Sequence, residues 1–109
     1  MDIYNGNKLF KTITANDTIV IPANFAIAAI CVQNTTANAV TGGIKIGTTN
    51  GGTEVLTATA ISGNFIDVIE TTLSKRWYST TADTTLYVQA VTSWNSASLK
   101  FTICLLDLN

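Results

Sequence analysis

The chain has 109 residues and a formal net charge of -1; 47 % of its residues are hydrophobic and only 12 % are charged, about half the roughly 25 % usual for a soluble domain. Nineteen Thr, ten Asn and six Ser take the surface places that Lys and Glu normally fill. The absence of His excludes a Ser-His-Asp triad, a Cys-His dyad and any metal site that needs imidazole, and the slightly acidic balance provides no field that would attract nucleic acid.

The opening residues Met1 to Lys8 carry an acid and polar groups where an export signal would place basic residues and then an apolar stretch. The longest unbroken apolar run, Phe25 to Val32, is eight residues, against the roughly 20 of a membrane-spanning helix. The sequence therefore predicts a soluble protein without a membrane partner, a single domain overall. Within it, residues 1–18 read as an N-terminal arm or first strand and residues 19–109 as a β-sandwich.

A period of two runs through nearly every segment, which predicts an all-β domain. Leu9 to Thr14 and Thr18 to Ile21 alternate, the second closing at Pro22, whose missing N–H suits a strand end. Phe25 to Val32 is apolar on both parities, which a strand tolerates when both of its faces are covered; it reads as an interface, with another subunit as one cover, or as a strand of the central sheet. Gly43 to Gly47 and Thr53 to Leu56 flank Asn50-Gly51, a hairpin signal because both residues tolerate positive φ.

Asn64 to Glu70 alternates as a strand, with a helix from Asp67 to Arg76 as the competing reading. Lys75 to Thr80 and Thr84 to Thr92 flank a turn at Thr81-Ala82-Asp83. In the last strand Leu99, Phe101, Ile103 and Leu105 share one face, and Lys100, Thr102, Cys104 and Leu106 the other. About eight short strands with turns every 8–12 residues or so predict a two-layer antiparallel β-sandwich with jelly-roll-like topology.

No catalytic, cofactor or metal site emerges. Cys31 and Cys104 are too few ligands for zinc, and without an export signal two reduced thiols are expected rather than a disulfide. Asp67 and Glu70 have opposite parity, which is wrong for shared acid–base work. Gly42-Gly43 and Gly51-Gly52 lack a following Gly-Lys-Ser/Thr and read as turns. Lys75-Arg76-Trp77-Tyr78 mixes bases with aromatics, but one patch on an acidic protein does not make a nucleic-acid site. Trp94, beside Asn95 among small polar residues, reads either as a plug at the end of the sandwich or, with Trp77, as a sugar-stacking platform.

Asn34-Thr35-Thr36-Ala37-Asn38-Ala39-Val40-Thr41-Gly42-Gly43, followed by Ile44-Lys45-Ile46-Gly47-Thr48-Thr49 and Gly51-Gly52-Thr53, resembles small virion proteins of tailed bacteriophages, of the capsid-decoration or head-fibre type. Lys75-Arg76, Thr85-Leu86-Tyr87 and Val91 to Leu99 look like the same group's closing hairpin and corner. The similarity covers about residues 19 to 106; the first 18 residues match nothing in the group.

The resemblance implies a virion structural protein on the particle exterior, made in the host cytoplasm. It implies no catalysis or cofactor, and partners that are copies of itself, in a trimer or other small homo-oligomer, and a major capsid or other virion protein. Phe25, Ile27, Ile30 and Val32, with Leu9 and Phe10 of the N-terminal segment, are the expected interface; residues 1–13 would act as an arm reaching a neighbouring shell protein. The alternative is a carbohydrate-binding sandwich of a fibre or cell-surface protein, with Trp94, Trp77 and Asn95 on the glycan.

Overall fold

The computed structural model describes residues 3–5, 7–69 and 82–108. Among the described residues nine strands run in sequence order: β1 (Ile3–Asn5), β2 (Lys8–Ile13), β3 (Asp17–Ile21), β4 (Phe25–Asn34), β5 (Val40–Gly47), β6 (Leu56–Ile61), β7 (Ile66–Ile69), β8 (Thr84–Ala90) and β9 (Leu99–Asp107). They form two antiparallel sheets ordered β1-β2-β9-β4-β7 and β3-β8-β5-β6. With β1 set aside as an added edge, successive strands alternate between the two sheets except for β5 and β6, which pair within one sheet, as in a jelly roll, so the two-layer sandwich read from the sequence is the fold.

Alternation selects the core. Leu9 and Ile13 of β2, Leu99, Phe101, Ile103 and Leu105 of β9, and Ile27, Ile30 and Val32 of β4 face Ile19, Ile21, Leu86, Val88, Ile44 and Ile46 of the opposite sheet, all of them buried. Each such residue contributes about 1.5–3 kcal/mol relative to exposure. Lys11 shares the inward parity, pairing with Phe101 just past the end of β1. Its stem is buried and its Nζ donates to the carbonyl oxygen of Thr18 at 2.5 Å, with Asp17 Oδ1 at 3.5 Å. An inward charge at the end of a covered edge also discourages edge pairing by a second molecule.

Three expectations are corrected. The two-parity apolar run needs no second subunit: a bulge between Ile27 and Ala29 inserts Ala28, so Ile27 and Ile30, three apart in sequence, face the same core. Beyond the bulge β4 turns only Ala29, Cys31 and Gln33 outward. Leu9, Ile27, Ile30 and Val32 are fully buried between the sheets and are interior packing rather than an interface, which is the central-strand reading of β4, between β9 and β7; Phe25 is half-buried against the same core.

Residues 8–13 are no arm, because β2 lies between β1 and β9 and supplies Leu9 and Ile13 to the core. The strand expected at Thr53 to Leu56 instead begins at Leu56. The Asn50-Gly51 turn is present, with Gly52 N donating to Thr49 O at 2.9 Å, but it forms the tip of a loop over residues 48–55. Inside that loop Val55 N bonds to Ile46 O and Thr48 N to the Glu54 carboxylate.

Of the strand expected at Asn64 to Glu70, Ile66–Ile69 is strand, as β7, while Asn64 lies in a turn with a φ of 55° and Glu70 lies outside the described residues. The strand expected at 75–80, and the rest of the competing helix, lie outside the described residues.

Candidate functional site

The two outer faces of the sandwich differ in chemistry. On the four-stranded sheet the outward positions of β3 and β8 and the centre of β5 are Thr18, Val20, Thr85, Tyr87, Gln89 and Lys45, the polar dress of a solvated face. On the five-stranded sheet the strand register sets three rows across β2, β9 and β4: Lys8, Cys104 and Ala29; Phe10, Thr102 and Cys31; Thr12, Lys100 and Gln33. Leu106 extends this face opposite Ala26, and Ile66 extends it opposite Gln33.

Leu106 is 54 % exposed and Ile66 70 % exposed, and Phe10 is half-buried. Between the second and third rows lies a shallow groove of about 360 Å³ lined by Phe10, Thr12, Cys31, Gln33, Lys100 and Thr102, with Lys11 and Phe101 of the intervening positions. Among the described outward side chains this face carries Lys8 and Lys100 and no carboxylate. An apolar floor with two cations is suited to an apolar, carboxylate-bearing surface.

Phe10 is thus the one expected interface residue that reaches a free face. Its sequence signal is that it alternates out of phase with Leu9. Leu106 and Ile66 were not singled out for this face, and Cys31 was weighed only as a thiol, because which side of a strand is left uncovered is set by sheet pairing rather than by the local sequence.

Both cysteines lie on this face, half-buried and free. Cys31 pairs with Thr102 while Cys104 pairs with Ala29, so the thiols stand diagonally. Diagonal neighbours are about 7–8 Å apart, beyond the Cα separation that a disulfide spans without backbone movement. Among the described residues no group of three His, Cys, Asp or Glu side chains gathers as a metal site would require.

Two residues of the expected sugar platform, Trp94 and Asn95, bond within the fold. Trp94 packs against the core and its Nε1–H donates to Asn16 Oδ1 at 2.7 Å, which is the plug arrangement. Asn95 Nδ2 donates to Ala39 O at 3.1 Å. Asn95 and Ser96 have φ of 52° and 60°, closing a turn in which Ala97 N bonds to Trp94 O; two successive positive φ values make this a type I′ turn. Trp77 lies outside the described residues.

The segment that carries the phage resemblance is held by Asn34, 2 % exposed at the end of β4. Its amide donates to Asn38 O at 2.7 Å and Ser62 O at 3.1 Å, and its oxygen accepts from Thr36 N and Thr36 Oγ1 at 3.0 and 2.8 Å. Gly42 and Gly43 follow at φ of 80° and 81°, where a side chain would be strained and where β5 slips register against β6. These residues build a corner and touch no groove.

No family model matches the protein, and neither a curated protein nor a solved structure shows significant similarity to it.

Proposed function

We propose that the protein is a structural component of a bacteriophage virion, a capsid decoration or head-fibre component that assembles by protein–protein contact. The observation that carries this reading is the asymmetry of the two outer faces. One carries Thr18, Thr85, Tyr87, Gln89 and Lys45 beside a single apolar Val20; the other holds a groove lined in part by half-buried Phe10 and, outside that lining, exposed Leu106 and Ile66, with Lys8 and Lys100 and no described carboxylate. Such a face costs solvation when bare and gains when it meets an apolar surface with acidic groups. The low overall charge suits a module whose surface is partly covered in an assembly. The jelly roll adds a fold-level analogy, since capsid and lectin domains both use it.

The lectin-like alternative has less support, since the Trp94 indole N–H is engaged by Asn16 and the Asn95 amide by Ala39.

Quantitative peptide mass spectrometry on purified particles tests the role. Copies approaching the number of the major shell protein fit head decoration, and far fewer fit fibres or vertices; absence from particles overturns the reading. The face is tested by Leu106→Asp against Thr85→Asp on the opposite sheet. Both positions are exposed, so both variants are expected to fold; Leu106→Asp is expected to lose attachment or self-association while Thr85→Asp keeps it. Equal behaviour of the two would remove the face from the proposal.

A further inference from the structure

Asn-Gly is the dipeptide most prone to succinimide formation, because glycine presents no side chain to hinder the approach of its nitrogen to the neighbouring amide carbon. Asn50-Gly51 occupies the exposed tip of the 48–55 loop, and a Cβ placed at Gly51 would meet nothing within 4 Å. Gly51 has a φ of 86° while Asn50 is not among the positive-φ residues, which makes the Thr49–Gly52 turn type II. The two reacting groups are held by one side chain from another strand. Gly51 N donates to Gln89 Oε1 at 2.7 Å, and Gln89 Nε2 donates to Asn50 Oδ1 at 2.6 Å.

We infer that Asn50-Gly51 is a latent site of self-modification by deamidation, kept closed by the Gln89 amide. In the reaction Gly51 N loses its proton to solvent base and attacks Asn50 Cγ. A bond forms between Gly51 N and Asn50 Cγ, the Cγ–Nδ2 bond of Asn50 breaks, and Nδ2 takes up a proton and leaves as ammonia. Water then opens the ring to aspartate or isoaspartate.

The attack requires the Asn50–Gly51 peptide plane to turn toward the side chain. That turn breaks the bond from Gly51 N–H to Gln89, and bending Asn50 Cγ toward the nitrogen breaks the second. Gln89 suits this clamp because its amide offers one acceptor and donors together, and β8 fixes its backbone opposite Lys45 of β5. The product places a new carboxylate on the loop, and in the isoaspartyl form lengthens the backbone by a methylene at the turn. The site therefore records how long the loop has been free of β8.

The test compares wild type with Gln89→Ala and Gln89→Glu during incubation at mildly alkaline pH in heavy-oxygen water, with peptide mapping to separate position 50 from the Asn5-Gly6 pair. Gln89→Ala should deamidate at Asn50 about tenfold faster than wild type, the factor that accompanies about 1.4 kcal/mol off a barrier. Gln89→Glu retains the acceptor for Gly51 N–H and should fall between them. Wild type in urea should be at least as fast as Gln89→Ala in its native state. Thermal melts of the three proteins confirm that the comparison is between folded proteins. Equal native rates for wild type and Gln89→Ala, or a native wild-type rate equal to that in urea, would overturn the inference.

Discussion

The indole N–H of Trp94 and the side-chain oxygen of Asn16 meet at 2.7 Å, joining two loops 78 residues apart. The same oxygen accepts Ala90 N at 3.1 Å, so Asn16 ties the β2–β3 loop to the exit of β8 and to the corner that follows it. This contact fits the plug reading of Trp94, whose one donor is engaged and whose partly buried ring packs on the core.

Asn16→Ala removes the acceptor for both donors and should destabilise the domain by about 1–3 kcal/mol. Asn16→Asp keeps the acceptor and should stay closer to wild type. Urea titration followed by tryptophan fluorescence measures both, and equal midpoints for Asn16→Ala and wild type would contradict the clamp.

Asn34 satisfies two donors and two acceptors with its own side chain while almost fully buried. Asn34→Leu has similar volume and suits the inward parity of β4 opposite Leu99, yet it strands the Asn38 and Ser62 carbonyls and the Thr36 N–H. A loss of about 3 kcal/mol is expected, since buried groups left without partners cost more than the added apolar contact gains. An unchanged denaturation midpoint would show that water replaces the amide.

Cys31 and Cys104 should both react with an alkylating reagent without prior reduction, adding two alkyl groups by mass. Mild oxidation should give no internal disulfide, because the thiols are diagonal rather than opposite. Cys31→Ser and Cys104→Ser each sit outside the core and should stay within about 1 kcal/mol of wild type. A protein that labels only after reduction would refute the diagonal register.

The final strand was the most legible element. Leu99, Phe101, Ile103 and Leu105 alternate without interruption, and the structure buries all four. The run at Phe25 to Val32 was legible as a strand but not as to its faces. A bulge is one residue of slack in the ladder, and Ala28 resembles Ala26 and Ala29 in everything except its pairing. At β6, Thr-Ala alternation lacks the large apolar residues that mark a buried face, so only Leu56 and Ile61 at its ends are buried, and the turn signal drew the strand too early. The outer groove was the least legible feature, because its walls come from β2, β4 and β9 and meet only after pairing.

Composition and period two determined by themselves that the protein is all-β, has strands with one buried face, and has no imidazole chemistry. These are local properties, set by side-chain type and by the two-residue repeat of extended backbone. The tertiary structure alone decided which apolar residues are interior and which remain on the surface, where the Trp94 indole finds its acceptor, and how Gln89 comes to hold Asn50 and Gly51. Each of these depends on register between strands far apart in the sequence, and a shift of one residue in register exchanges the two faces of a strand.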